Sequence, residues 1–216
     1  LVRRDPVLRA LALSEMTQGM LWGVFGATYL LFAFEVLQLG PAAIGLITAA
    51  GGLGSLIGAL AVGRATRRWG IGLTAVGGLL LATLGNAFVP LAPAGAPLIA
   101  AGFLVAQQLV GDGGVTIYAI TEQTVRQATV DNRLLGRTTS TMRFAAGTAQ
   151  LVATLGAGLL AEVVGLRAVA AIAPLGGLAG ALVIWFSPVR SLQIHELDVT
   201  AANALEETAA ERPVGG

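Results

Sequence analysis

Apolar residues fill six long runs of the chain, each ended by a short polar, glycine or proline segment. The runs cover approximately residues 8–37, 41–62, 71–89, 98–120, 141–161 and 168–186. They are continuous rather than alternating, which favours helices over the short strands of an outer-membrane barrel. About 20 helical residues cross the hydrocarbon core of a bilayer. The pattern therefore predicts an all-α membrane protein with six transmembrane helices.

The breaks between the runs have recognisable chemistry. Gly40 and Pro41 predict a helix end followed by a proline in the first turn of the next helix. A polar connector is predicted over residues 121–139 and a short turn over 162–167, and Pro188 is expected to stop the sixth helix. We divide the chain into a membrane domain, 1–190, and a polar, acidic tail, 191–216, which we expect to be cytoplasmic, solvated and disordered.

Composition supports the membrane class and argues against most catalytic sites. Hydrophobic residues make up 55% of the chain and charged residues 12%, against about 25% charged in a soluble domain. The absence of cysteine excludes disulfides and thiolate metal sites. The single histidine, His195, lies in the tail, and no GxxxxGK, HExxH or GxSxG motif occurs. We therefore expect no enzyme activity, no cofactor, no metal and no nucleic-acid partner.

The arginines give a direction to the predicted helices. If six helices alternate across the membrane, Arg167 alone falls on one side and the other arginines fall together on the opposite side. Arginine is enriched in cytoplasmic loops. The pattern predicts a multi-pass protein of the cell membrane with both termini in the cytoplasm.

Polar residues interrupt three of the apolar runs at helical spacing. Such residues are costly in lipid and normally face a bundle interior or a water-filled cavity. We predict that three such stripes face the interior of the bundle or a water-filled cavity: Glu15, Gln18 and Trp22 in the first helix, Gln108, Asp112 and Thr116 in the fourth, and Arg143 and Gln150 in the fifth.

Asp112 is the sharpest candidate in this set, because it lies near the middle of its run between glycines. It could bind and release a proton, or it could be a buried residue hydrogen-bonded to a neighbouring helix. Glu15 has the same two interpretations. Glu122 and Arg126 are four residues apart, which favours a local ion pair. Arg143 could pair with a carboxylate inside the membrane or extend to the cytoplasm.

Glycines at helical spacing predict close helix contacts. Gly54 and Gly58 form a small-xxx-small pair, which lets two backbones approach in lipid. Further glycines predict close packing elsewhere on the second helix and on the fifth and sixth helices: Gly51, Gly52, Gly63, Gly156, Gly158, Gly176, Gly177 and Gly180. Smooth faces of this kind also suit helices that rock against one another.

Two segments resemble the major facilitator superfamily of transporters. Residues 63–70, Gly-Arg-Ala-Thr-Arg-Arg-Trp-Gly, resemble its loop motif between the second and third helices of each half. Gly63, Arg68 and Gly70 match the motif, whereas Arg67 replaces its acidic residue. Residues 131–144 resemble the segment before the eleventh helix in the branch that exports enterobactin and drugs.

The resemblance implies a specific architecture and activity. The chain would be the second half of a twelve-helix transporter, built as two inverted three-helix repeats, and its first residue, a leucine, suggests a fragment. The three polar stripes would line the pathway for substrate and protons, and Gly63, Arg67, Arg68 and Gly70 would form a gating loop. The implied function is proton-coupled export of a small amphiphilic drug or siderophore by alternating access. The alternatives are an uptake permease of the same fold and a half-transporter that serves only as a membrane interaction module. Membrane lipid, protons, the small-molecule substrate and the missing N-terminal half or a second half-transporter are the expected partners.

Overall fold

The structure is a computed structural model in which residues 5–192 are described. The tail from residue 193 onward, with His195, lies outside these residues. So do Arg3, Arg4 and Arg212.

Six long α-helices account for most of the described residues. Each is long and apolar enough to cross a membrane, which confirms the predicted fold class. The helices are α1, Pro6–Leu31; α2, Pro41–Trp69; α3, Ile71–Leu91; α4, Pro97–Thr129; α5, Asn132–Val164; and α6, Leu166–Trp185. A π-helical turn, Phe32–Val36, extends α1, and a 3₁₀ turn, Pro188–Ser191, follows α6.

Local chemistry fixes where the first helices begin. The Asp5 carboxylate accepts hydrogen bonds from the backbone N–H groups of Val7, at 2.8 Å, and Leu8, at 3.1 Å. These bonds satisfy donors that the first helical turn leaves free. Gly40 precedes Pro41 at the first position of α2, as the sequence predicts.

The predicted connector over residues 121–139 is wrong. The α4 helix continues to Thr129 and α5 begins at Asn132, so only Val130 and Asp131 separate them. Asp131 begins α5 by accepting a 2.7 Å hydrogen bond from the backbone N–H of Arg133. Loss of hydropathy marks where a chain leaves lipid, whereas a helix ends only where its backbone hydrogen bonding ends.

The two predicted turns also differ from the structure. Residues 63–69 are helical and form the last two turns of α2, so the basic segment is not a loop. Gly70 alone separates α2 from α3, and Gly165 alone separates α5 from α6. Their φ values are 81° and 85°, with extended ψ values, in a region that only glycine adopts readily. One glycine therefore suffices for each reversal.

The helices form two inverted three-helix units, α1–α3 and α4–α6. The α1 helix packs on α5 and α6, the α4 helix packs in the same way on α2 and α3, and α3 packs on α6. The interval from Pro6 to Pro97 equals that from Pro41 to Asn132, so the second unit repeats the spacing of the first. Since α1 and α4 run in opposite directions, the repeat is inverted.

The helices approach one another most closely at glycine residues. A Cβ atom at Gly58 would collide with the Gly113 backbone oxygen of α4, and one at Gly54 would lie 2.6 Å from the Leu109 backbone oxygen. Gly19 and Gly23 make the equivalent contacts between α1 and the backbone of α5. This confirms the predicted role of the Gly54 and Gly58 pair.

The glycine prediction holds for only part of the wider set. Gly176, Gly177 and Gly180 of α6 lie against α1 or α3, as expected. Gly156 and Gly158 have no described atom within 4 Å of the space a Cβ would fill, because that part of α5 is exposed. Gly52 of α2 likewise has no described atom within 4 Å, so close packing was wrongly predicted at these three positions.

The described arginines other than Arg167 lie toward one end of the bundle, hereafter the arginine end. It contains the first turns of α1, α3 and α5 and the last turns of α2, α4 and α6. Arg167 lies at the opposite end, where its Nη1 donates a 2.6 Å hydrogen bond to the Pro90 backbone oxygen. Its guanidinium also lies 5.2 Å from the centre of the Phe32 ring. This arginine thus ties α6 to the ends of α3 and α1.

Candidate functional site

The site is built on the sides of α1 and α4 that face each other, which we call the central face. On α1 it carries Glu15, Trp22 and Tyr29, spaced by seven residues, and on α4 it carries Gln108 and Glu122, fourteen residues apart. Seven residues are two helical turns, so each set lies along one side of its helix. The two helices make few direct contacts with each other. Polar groups in the middle of this face are therefore not covered by the partner helix.

An ion cluster joins α1 to α4 toward the arginine end. Arg126 Nη1 donates a 2.7 Å hydrogen bond to Glu122 Oε1, and both side chains are only 6% exposed. The same nitrogen lies 3.6 Å from Glu15 Oε1 on α1, whose side chain is 20% exposed. This confirms the predicted local pair of Glu122 with Arg126. The structure also places a second carboxylate, that of Glu15, beside Arg126, which the spacing of residues in the sequence did not indicate.

A neutral hydrogen bond lies beside this cluster. The buried Tyr118 hydroxyl donates a 2.9 Å bond to Ser14 Oγ. Tyr118 precedes Glu122 by one turn of α4, and Ser14 precedes Glu15 by one residue of α1. The two interactions therefore form one polar junction between the central helices.

Asp112 and Gln108 lie over a glycine of α2 in the middle of the bundle. A Cβ atom at Gly51 would collide with Asp112 Oδ2 and lie 2.8 Å from Gln108 Nε2. Gln108 is buried and Asp112 is half-buried. Within residues 5–192 no basic side chain lies within 4 Å of the Asp112 carboxylate. The glycine thus makes room for a carboxylate that has no ion-pair partner in the described residues.

Several buried polar atoms near this face have no hydrogen-bond partner among the described residues. They include both amide atoms of Gln18, which is only 8% exposed, Glu15 Oε2 and the Tyr29 hydroxyl. Gln107 Oε1 on α4 is a further one. Buried polar groups are normally paired, so a cluster of unpaired ones marks a place for ligand or water.

Three aromatic rings lie along the same region of α1. Trp22 packs edge-on against Phe25 with ring centres 5.8 Å apart, and Phe25 stacks on Tyr29 at 4.4 Å. Trp22 remains 41% exposed, whereas Tyr29 is buried within electrostatic reach of Asp112. The rings therefore extend from the polar junction toward the uncharged part of the bundle.

The predicted residues on α5 lie at the edge of this arrangement. Arg143 and Gln150 are both exposed, and Arg143 has no carboxylate within 4 Å among the described residues. Gln150 contacts α1 through its backbone oxygen, which lies against Gly23. Thr116 is half-buried on α4, one turn after Asp112.

The predicted gating residues are separate from the central face. Arg67 and Arg68 are exposed in the last turn of α2, and Gly63 lies in the same helix. The Arg68 guanidinium is 5.9 Å from the Trp69 ring centre. No carboxylate lies within 4 Å of these arginines in the described part of the chain.

Sequence reasoning missed four contributors to the site: Ser14, Tyr29, Gln107 and Tyr118. Tyr29 could have been found, because it continues the seven-residue spacing of Glu15 and Trp22. Tyr118 shares a helical face with Glu122 and could have been found in the same way. Ser14 and Gln107 gave no such signal, since their importance comes from contacts and burial.

Comparison with known proteins gives the family. The profile of the Major Facilitator Superfamily matches residues 11–208, nearly the whole chain. No curated protein matches the chain in sequence. The family is one of membrane transporters, and six membrane-spanning helices in two inverted units are consistent with half of its fold. The chain is a multi-pass membrane protein that belongs to the Major Facilitator Superfamily.

Proposed function

We propose that this chain forms the C-terminal six-helix half of a secondary transporter that exports small amphiphilic molecules in exchange for protons. The substrate path runs along the central face, between α1 and α4, and the other six-helix half completes it. The two halves rock around this path to expose it to each side of the membrane in turn.

The proposal rests on one observation, that Asp112 lies inside the bundle without an ion-pair partner among the described residues. Ionisable groups inside a membrane are costly and are kept where they have a task. Glu122 and Glu15 share Arg126, so the ion cluster holds their negative charge in place. Asp112 has no such partner in the described residues and is half-buried, so a proton can reach it and neutralise it. We assign the coupled proton to this carboxyl group.

The arginine end faces the cytoplasm in this proposal, because arginine is enriched on that side of cell membranes. The chain has no cysteine, so single-cysteine variants can be labelled without background. Arg67→Cys is expected to react with an impermeant maleimide only in inverted vesicles, and Pro93→Cys only in right-side-out vesicles. Labelling of both positions from one side would contradict the orientation.

Transport is tested in inverted membrane vesicles from cells that express the whole protein encoded by the gene. An acid-inside pH gradient should drive accumulation of one or more amphiphilic dyes from a panel that contains cations, anions and neutral molecules. Asp112→Asn should abolish this accumulation. Asp131→Asn should not, because asparagine caps α5 as well as aspartate does. Dye transport that does not depend on the pH gradient, or that is retained in Asp112→Asn, would reject the proton assignment. Gradient-driven movement of dye out of the vesicles would indicate uptake.

A further inference from the structure

The central face combines unpaired hydrogen-bond acceptors, excess negative charge and aromatic rings. We propose that it binds an aromatic organic cation that carries N–H donors, such as an aryl amine or amidine, with the cationic group at Asp112 and the ring system against Trp22. This inference rests on the transporter function proposed above and names the substrate class of the same site.

The charges of the two central helices favour a cation. Three carboxylates, Glu15, Asp112 and Glu122, belong to α1 and α4, whereas Arg126 is the one guanidinium in direct contact with any of them in the described residues. Arg9 of α1 and the exposed Arg143 of α5 lie more than 4 Å from all three carboxylates. Arg126 is occupied by the two glutamates. An anionic substrate would meet the Asp112 charge with no described cation beside it, whereas a cation would neutralise it.

The unpaired polar atoms favour a molecule that donates hydrogen bonds. Gln18 Oε1 and Glu15 Oε2 are buried acceptors without donors in the described part of the chain, whereas Gln18 Nε2 is an unpaired donor and the Tyr29 hydroxyl can act as either. The carboxylate oxygen decides between them, because a hydrogen bond donated to a charged acceptor is the strongest that this set can form. Gln18 lies one turn from both Ser14 and Glu15, the two residues through which α1 contacts α4, so its side chain is on the side of α1 that faces α4. An N–H group in this space would satisfy acceptors that burial otherwise leaves unpaired, and hydrogen bonds of this kind to charged groups are stronger than neutral ones.

The aromatic residues favour a ring system on the ligand. Trp22 follows Glu15 by two helical turns, so it shares the central face rather than the side of α1 that packs on α5 through Gly19 and Gly23. Phe25 supports it edge-on. An indole face is the best aromatic surface for a cation, and it also stacks on a flat ring.

Asp112 serves both the proton and the cation in this arrangement. A protonated carboxyl group no longer attracts a cation, so occupancy by one disfavours the other. Tyr29 on α1 is a titratable group within electrostatic reach of Asp112. On the α2 side Gly51 lies against Asp112, and the ionisable side chains of α2, Arg64, Arg67 and Arg68, are all in its last two turns. The α3 helix has no ionisable residue.

The test compares two dyes with one ring system and opposite charge. Rhodamine 123 is a xanthene cation with amino groups, and fluorescein is a xanthene anion. Binding of each dye to the detergent-solubilised full chain is measured by fluorescence anisotropy. Rhodamine 123 is expected to bind at least about tenfold more tightly than fluorescein, which corresponds to one charge contact. Equal affinity, preference for fluorescein, or no saturable binding of rhodamine 123 would overturn the proposal.

Two matched pairs of variants locate the binding. Asp112→Asn should weaken rhodamine 123 binding by about tenfold, whereas Asp131→Asn, the same change at the α4–α5 junction, should leave it unchanged. Trp22→Leu should weaken binding by about fivefold, whereas Trp185→Leu should not, although Trp185 is equally exposed at 40%. Unfolding temperatures show whether each variant is folded. If Asp112→Asn is not folded, the comparison of Trp22→Leu with Trp185→Leu decides whether the dye binds at the central face.

The outcome separates this inference from the proposed function. Cation-selective binding at these residues without gradient-driven transport would reject the function and leave the ligand class standing. Gradient-driven transport of anionic or neutral dyes, with no cation selectivity, would reject the ligand class and leave the function standing.

Discussion

Replacement of Arg126 by glutamine should destabilise the bundle more than any other single loss of charge. Its guanidinium is 6% exposed, donates a 2.7 Å hydrogen bond to Glu122 and lies 3.6 Å from Glu15. Removing it leaves two carboxylates close together in a buried place without their counter-ion. Breaking a buried ion pair from one side typically costs about 3–5 kcal/mol, and we expect Arg126→Gln to lower the free energy of unfolding by that amount.

The same geometry ranks the two glutamates. Glu122→Gln removes one partner of a short, buried hydrogen bond but keeps an acceptor oxygen, so about 1–3 kcal/mol is expected. Glu15→Gln should cost less than about 1 kcal/mol, because this carboxylate is farther from Arg126 and its side chain is 20% exposed. The double variant Arg126→Gln, Glu122→Gln should be more stable than Arg126→Gln alone, since it leaves fewer unpaired charges buried.

Unfolding in mixed detergent micelles by increasing dodecyl sulfate measures these differences. Arg137→Gln is the control, because Arg137 is exposed in the first turns of α5 and its loss should change stability by about 0.5 kcal/mol or less. The reasoning is refuted if Arg126→Gln costs no more than Arg137→Gln. It is also refuted if Glu15→Gln costs as much as Glu122→Gln.

Three further predictions concern helix packing and turns, and the same unfolding measurement checks them. Gly58→Ala places a methyl group against the Gly113 backbone oxygen and should lower the free energy of unfolding by about 1–3 kcal/mol. Gly52→Ala meets no described atom within 4 Å and should leave that free energy unchanged. Equal losses of stability in the two variants would contradict the helix contact. Gly165→Ala should cost about 1–3 kcal/mol because φ is 85°, and an unchanged stability would show that the turn adopts another conformation. Tyr118→Phe should cost about 1 kcal/mol through the lost bond to Ser14, so an unaltered variant would show that this bond contributes nothing.

The number and order of the helices could be predicted from sequence, because each hydrophobic run must cross the same thickness of lipid. The Gly54 and Gly58 contact and the pairing of Glu122 with Arg126 were also predictable, since both follow from spacing along a single helix. The helix ends were not. Residues 121–129 and 63–69 leave the apolar pattern yet continue their helices, because a helix can extend into water as long as its backbone bonds are kept.

The long-range part of the site could not be derived from one sequence. The approach of Glu15 to Arg126 joins residues that are far apart in the chain, and it depends on how α1 crosses α4. The position of Asp112 over Gly51 depends likewise on the contact of α2 with α4. The role of the polar stripe on α5 remains a prediction, since Arg143 and Gln150 are exposed in the described structure.

Proton release on ligand binding tests most directly whether Asp112 exchanges a proton for a cation. Rhodamine 123 is added to the detergent-solubilised chain in weakly buffered solution over a series of pH values, and a pH indicator reports the protons released. We expect release that rises to a maximum approaching one proton for each bound dye, and no release above background from Asp112→Asn. Binding of the dye without proton release at any pH, or equal release from Asp112→Asn, would contradict the exchange.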